Sequence, residues 1–465
     1  MVPSPHSLTP KINNCHLFLL RLQMAIRNLL LLLMFSFHCF SCFSNSEDPF
    51  ANFFAEPPSS MVAGEEGDAP SSSERSSMER FDPLGGRISS RRVVNVDNYG
   101  AKGDGTDDKE AFEKAWKEAC ACHSSVVFLV PEHKRYLLKP IIFSGPCKSD
   151  VTVMIKGTLE ASPNPSDWDD RDRRHWIVFS GIRNLVVGGG GILDGKGKNW
   201  WRNSCKINTS RPCISAPTAL TFNSCKDLRV EDLKIKDSQQ IHVLFEYCTD
   251  VLVSRLTITA PSWSPNTDGI HVTSTKNILI THSVIGTGDD CISIVDGSKR
   301  LKATDIVCGP GHGISIGSLG AGNSEAHVSN VLVDKVTLKN TTNGVRIKTW
   351  QGGHGYAKNI IFQNIEMHNV HYPIVIDQNY CDSKIPCHEQ KTAVAVSHVL
   401  YKNIKGTSAS EVAINFNCSR STWCHKIVLQ DITLKENDGV PTKSSCNHVE
   451  WVEIGKIFPS CAQKN

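Results

Sequence analysis

A short β-branched run introduced by Asn or Asp keeps returning along this chain. It occurs at Asn184-Leu-Val-Val, Asp227-Leu-Arg-Val, Asp250-Val-Leu-Val, Asn277-Ile-Leu-Ile, Asn330-Val-Leu-Val and Asn359-Ile-Ile-Phe. Spacings between neighbouring copies include 23, 27 and 29 residues, a second apolar run follows within the units, as in Leu256-Thr-Ile, and further copies are expected around Val399 and Ile427. Short strands at this period, with no helices between them, cannot bury their apolar faces singly and must stack. A sandwich would need tight hairpin turns and gives no reason for the units to resemble one another. The period therefore predicts an all-β chain folded as a parallel β-helix. One amphipathic helix precedes the repeat. Asp107 with Glu110 makes a capping-box-like start, and Ala111, Phe112, Ala115, Trp116, Ala119 and Cys120 share one face. This helix, over 107–122, is expected to cover the open N-terminal end of the solenoid, where an exposed strand edge invites aggregation. No helix follows the glycine run 188–191, so it reads as a coil corner and not a phosphate loop. Asn330 and Asn359 read as residues that stack in the turns.

Composition excludes some classes and suggests a compartment. Forty per cent hydrophobic and 21% charged residues rule out a mainly disordered chain or a multi-span membrane protein. Residues 1–44 hold Lys11, Arg21 and Arg27 and no acid, so without them the 50 bases fall to 47, matching the 47 acids. A chain with no net charge lacks the basic field that nucleic-acid binding needs. Arg27 and the apolar stretch 29–37 read as a secretory signal within 1–44, cleaved near Ser44, with Met24 a candidate start. The apolar run fades short of the roughly 20 residues a spanning helix needs, so no stable membrane association is expected. Residues 45–92, rich in Ser, Pro, Glu and Gly, read as a flexible linker, and 93–465 as the folded domain. Sequons at Asn208, Asn340 and Asn417 fit a secreted, extracellular chain. Of 18 cysteines, three lie in the leader, leaving an odd 15 whose scattered spacing favours disulfides over zinc. Short loops Cys205/Cys213, Cys381/Cys387 and Cys418/Cys424 are plausible pairs, with at least one thiol left free or paired to another chain.

Four polar clusters fall in consecutive units: Asn266-Thr-Asp268-Gly, Gly286-Thr-Gly-Asp289-Asp290-Cys, Gly311-His312-Gly313 and Arg346-Ile-Lys348. Taken singly, each has a plain structural reading as turn, loop or solvated strand face. Asp268 to Asp289, His312 and Arg346 are separated by 21, 23 and 34 residues, so a solenoid stacks them in one column. Such a column suits glycoside hydrolysis, in which one carboxylic acid protonates the leaving oxygen and another carboxylate activates water. Asp289 and Asp290 as neighbours would repel when both are ionised, which keeps one proton available. For both to serve one cleft the chain must bend, as Gly286 and Gly288 permit. His312 is placed to hold the acid's proton. Arg346 and Lys348, alternate residues of a strand, can pair with a substrate carboxylate.

Together these four clusters resemble the signature motifs of the polygalacturonases, glycoside hydrolase family 28. The stretch beginning Val94-Asn-Val-Asp-Asn-Tyr-Gly resembles the start of the plant members' domain, and the resemblance runs over about 94–461. It implies a single-stranded right-handed parallel β-helix and hydrolysis of α-1,4-linked galacturonan in pectin, with inversion, in the plant cell wall. It implies Asp289 as general acid, Asp268 and Asp290 as activators of water, and His312 as support for the acid. Arg346 and Lys348 would bind a galacturonate carboxylate, with Asn266 and, by a looser match, Tyr380 in Gln378-Asn-Tyr380-Cys also touching substrate. No metal or other cofactor is implied, a monomer is expected, and internal cleavage is the expected mode. Two rivals remain open at this point: calcium-dependent β-elimination of the pectate-lyase kind, and a non-catalytic pectin-binding wall protein. The intact acids argue against the second, because a polyanion binder gains by losing them.

Overall fold

The computed structural model describes residues 92–168, 173–383, 385, 387–437 and 441–462. The leader read in 1–44 and all but Arg92 of the linker read in 45–92 lie outside the described residues. The polar residue that opens each repeat proves to be a backbone device. Asn184, Asp227, Asp250, Asn277, Asn330 and Asn359 have φ of 52°, 55°, 59°, 57°, 58° and 57°. That left-handed conformation is one Asn and Asp tolerate better than other non-glycine residues, and it turns the chain into the next strand. The corner side chains stack as expected: Asn277 Nδ2 donates to Asp250 Oδ1 at 2.7 Å, and Asn359 Nδ2 to Asn330 Oδ1 at 3.1 Å. The copies at Val399 and Ile427 are real and pair in register with each other and with Ile360. Their corners are His398 and Lys426, and a further copy at Leu301 has Arg300 at its corner, φ 59°. The Leu301 copy carries no Asn or Asp signal. The 188–191 run is a corner too: Gly189 and Gly190 have φ of 118° and 84°, and a Cβ on Gly189 would lie 2.6 Å from the Ile155 carbonyl oxygen.

Strands separated by one coil pair in parallel throughout, and the result is a right-handed parallel β-helix. One sheet of eleven strands matters most here. It runs through Ile141–Ser144, His175–Ser180, Thr218–Asn223, Val243–Glu246, Ile270–Thr273, Ile292–Ile294, Ile314–Leu319, Asn343–Thr349, Tyr372–Asp377, Val412–Asn417 and Lys443–Asn447. Alternate residues of these strands point inward and stack coil upon coil. Phe143, Phe179, Phe222 and Phe245 form one such column, their ring centroids 5.0, 5.5 and 5.3 Å apart. Val272, Ile294, Ile316, Ile347, Ile376 and Phe416 continue the column, all fully buried. Each coil is thus held by apolar burial against two neighbours.

The capping helix spans Lys109–Cys120, shorter at both ends than the 107–122 expected. It buries Ala111, Phe112, Ala115, Trp116 and Ala119, with Trp116 against Phe128, Phe143 and Phe179 of the first coils. The expected capping box does not form. Asp107 Oδ1 accepts from the Lys109 N–H, Asp108 turns away to the N–H groups of Lys102 and Gly103, and Glu110 pairs with Lys114. A lysine one turn ahead offers Glu110 a charged partner, which outcompetes the reach back to the cap.

Among the described residues six disulfides include the three expected pairs and add Cys120–Cys147, Cys291–Cys308 and Cys446–Cys461. Cys122, Cys225 and Cys248 are free and buried, so the odd count leaves three thiols.

Candidate active site

The outward face of the eleven-stranded sheet carries the chemistry. Ile270, Ile292 and Ile314 pair in register. Asp268, Asp290 and His312 each stand two residues before one of these, at the edge where the strands begin. Asp289 and Asp290 lie in the turn before Ile292–Ile294 and not on a strand, so face alternation does not separate them, and both line one cleft. The turn needs Gly288, because a Cβ there would lie 2.0 Å from the Ser264 carbonyl oxygen. The Cys291–Cys308 disulfide anchors the acids from behind. The cleft, about 740 Å³, brings together Asn266, Asp268, Asp289, Asp290, His312, Arg346, Lys348 and Tyr380, all eight residues singled out for catalysis and substrate binding.

The two neighbouring carboxylates have different surroundings. Asp289 Oδ1 accepts from the Asp290 N–H at 2.8 Å and meets His312 Nδ1 at 3.0 Å. Among the described residues Asp289 Oδ2 has no hydrogen-bond partner, so a proton carried by Asp289 belongs there. Burial, then the nearby charge of Asp268, pushes the Asp289 carboxyl above its ordinary range, against the pull of His312. His312 in turn is held above its usual value by its hydrogen bond to Asp289, against desolvation. Asp290 is 2% exposed and fully engaged: Oδ1 accepts from Ser315 Oγ at 2.6 Å and Arg346 Nη2 at 2.9 Å, Oδ2 from Lys348 Nζ at 2.9 Å. The two cations expected to meet substrate therefore already clamp Asp290, and Lys348 Nζ lies 5.4 Å from the Tyr380 ring centroid. Asp268 is half-buried, and its desolvation alone would raise its pKa; hydrogen bonds from His271 and Ser293 and the charge of Lys348 outweigh that, and its carboxyl sits below its ordinary value. One carboxyl is thus biased to keep its proton and another to lose it, the division of labour an acid–base pair requires.

Three residues of this network escaped the sequence reading. His271, Ser293 and Ser315 sit each three residues after Asp268, Asp290 and His312, and they pair in register with one another and with Arg346. Ser293 Oγ donates to Asp268 Oδ2 at 2.6 Å and lies 2.7 Å from His271 Nδ1, while Arg346 Nε donates to Ser315 Oγ at 3.0 Å. The signal was present as a polar residue after Ile in each of three coils. Of the sequons, Asn208 and Asn340 are exposed; Asn417 is half-buried, with Nδ2 donating to Asp377 Oδ1 at 3.1 Å.

The carboxylate spacing does not follow the wide separation that inversion suggests. One side-chain donor atom each of Asp289, Asp290 and His312 lies within 4.8 Å of the others, so the neighbouring Asp289 and Asp290 carboxyls approach closer than the roughly 6.5–9.5 Å usual between inverting carboxyls. Those three could in principle hold a metal ion, but Asp290 already faces Arg346 and Lys348, whose positive charges oppose a divalent cation there.

His312→Ala is expected to lower kcat by about 10²-fold and to move the alkaline limb of kcat/KM to higher pH. The sign follows from His312 opposing the raised pKa of Asp289; without it the acid keeps its proton further up the scale. A pH–rate profile checks this, and an unmoved limb would remove His312 from the role.

The sequence profile of glycosyl hydrolases family 28 matches residues 120–458. A polygalacturonase of Persea americana is 61% identical over 374 residues, covering 80% of each chain. Polygalacturonase-2 of Solanum lycopersicum is 56% identical over 371 residues, covering 80% of this chain and 81% of its own. In fold, the chain is similar to the crystal structure of an exopolygalacturonase from Thermotoga maritima, with a TM-score of 0.65 at 22% identity, over 78% of this chain and 91% of that one.

Proposed function

Because the chain belongs to glycosyl hydrolases family 28, we propose that it hydrolyses the α-1,4 bonds of polygalacturonan, with Asp289 as the acid that frees the leaving oxygen. The observation that carries this reading is the contrast between Asp289, half-buried with a raised pKa and a free Oδ2, and Asp268, held below its ordinary range. In this mechanism Asp289 Oδ2 delivers its proton to the glycosidic oxygen while Asp268 and the clamped Asp290 orient and deprotonate the attacking water. Arg346 and Lys348 present their remaining N–H groups to the substrate carboxylate, Tyr380 supplies an aromatic wall, and Asn266 borders the cleft. Asp290, saturated by Ser315, Arg346 and Lys348, is poorly placed to become a free nucleophile, which favours inversion in spite of the short spacing.

Cleavage is internal in this reading, and the protein acts as a secreted monomer on pectin of the plant cell wall. Six disulfides support an oxidising destination, and among the described residues no helix is long and apolar enough to cross a membrane.

Digestion of de-esterified polygalacturonate, followed by reducing ends, viscosity and product NMR, tests these points together. The expected result is new reducing ends without ultraviolet absorbance, an early fall in viscosity, β-configured first products and no effect of a chelator. An unsaturated product would mean elimination, and α-configured first products would mean retention. No new ends from folded protein would point to a binding role.

A further inference from the structure

Lys206 and Asp382 are 176 residues apart, yet Lys206 Nζ lies 2.6 and 2.7 Å from the two carboxylate oxygens of Asp382. Lys206 belongs to the loop 203–217, which follows the short helix Lys198–Arg202 and leads into the strand Thr218–Asn223. Asp382 belongs to the loop 378–383, which leaves the strand Tyr372–Asp377. In a sheet of parallel strands these loops rise from opposite borders, one where strands begin and one where they end. Their strands are also six steps apart in the sheet, about 29 Å at the usual strand spacing. Five strands lie between, among them those that position Asp268, Asp289, Asp290 and His312. A contact between the two loops must therefore pass over the acids, and both Lys206 and Asp382 line the acid cleft. Each partner also directly follows a disulfide cysteine, of Cys205–Cys213 in one loop and Cys381–Cys387 in the other, so the contact is made next to the covalent closure of each loop.

Lys206 holds a second position. A neighbouring chamber of about 520 Å³, walled by Trp200, Arg174, Arg211 and the fully buried Gln239, shares Lys206, Pro265 and Asn266 with the acid cleft. A polymer lying through both chambers passes Lys206 at their junction.

We propose that Lys206 and Asp382 form a latch across the cleft that sets the mode of attack, a proposal that rests on the hydrolase reading above. The pair is exposed, 43% and 51%, so it is weak and easily exchanged. A galacturonan chain brings carboxylates of its own. Lys206 leaves Asp382 for a substrate carboxylate, the loops part, and an internal stretch of polymer enters. When the pair re-forms above the bound chain, the polymer is retained and cut more than once before release.

Asp382→Asn breaks the latch and keeps Lys206. Relative to wild type it is expected to raise the viscosity loss per new reducing end about threefold, because the chain is no longer held for repeated cuts. Early mono- and digalacturonate should fall, while turnover of short oligogalacturonates, which need no strap, stays unchanged. The charge swap Lys206→Asp/Asp382→Lys should return both readouts toward wild type. An Asp382→Asn variant with the wild-type ratio, or a charge swap that behaves like Asp382→Asn, would overturn the latch. The contact itself is tested without substrate: a zero-length carbodiimide should join Lys206 Nζ to the Asp382 carboxyl as an amide with loss of water, found by peptide mass mapping, and absence of that cross-link from the folded protein refutes the strap. A wild-type protein that yields no reducing ends while this cross-link forms would sink the hydrolase reading and not the contact.

Discussion

Asp289→Asn should abolish turnover of polygalacturonate, lowering kcat by about 10³-fold or more, as expected when a general acid is removed. The same change should leave the melting temperature at pH 7 equal to or above that of wild type. Burial holds the Asp289 carboxyl above its ordinary range, so the native state binds this proton more tightly than the unfolded chain does. Ionising it in the fold costs stability; that cost is absent below the unfolded value of about 3.9 and grows as pH rises through the folded value. Asn carries no charge to bury, and its side-chain oxygen can still accept from the Asp290 N–H and His312. Any stabilisation should therefore appear at neutral pH and vanish near pH 3, which thermal melts at the two pH values will read. Near-normal turnover by Asp289→Asn would remove it from the acid role, and a loss of stability at pH 7 would show that its charge is compensated in the fold.

Asp290→Ala should lose activity too, but unlike Asp289→Asn it should also lose stability. The Asp290 carboxylate is the shared acceptor of Arg346, Lys348 and Ser315, and the cation side chains are only 14% and 10% exposed. Removing it leaves two largely buried positive charges facing each other, and breaking such a buried pair costs about 3–5 kcal/mol. Urea unfolding should show a lower midpoint at an unchanged slope. A midpoint equal to that of wild type would mean that the clamp around Asp290 contributes nothing to the fold. Two adjacent aspartates of one turn thus give mutants that are both inactive but differ in stability, a contrast that a simple count of acidic residues would not suggest.

The degree to which this could be read from the chain varied by element. The solenoid was legible because its rules are local: a β-branched run buries a face, and Asn or Asp supplies the left-handed corner. It failed at Leu301, where Arg300 holds the same corner without an Asn or Asp signal. The capping helix was legible by its apolar face but not at its N-terminus, where Glu110 chose Lys114. The acids, His312, Arg346 and Lys348 were legible because a repeat converts spacing into stacking. His271, Ser293 and Ser315 obeyed the same rule, yet Ser and His on a strand carry little meaning until the acids they touch are placed.

The order of residues alone determined the coil, the face on which the polar clusters fall and the three short disulfide loops, since each depends on neighbours in sequence or on a regular period. Tertiary structure decided which carboxylate the cations clamp, which one keeps a proton, and that loops 176 residues apart meet over the cleft. These depend on burial and on distances across coils, which have no period to betray them. A pKa is set by what surrounds a group in space, and the surroundings of Asp289 and Asp290, adjacent in the chain, are different.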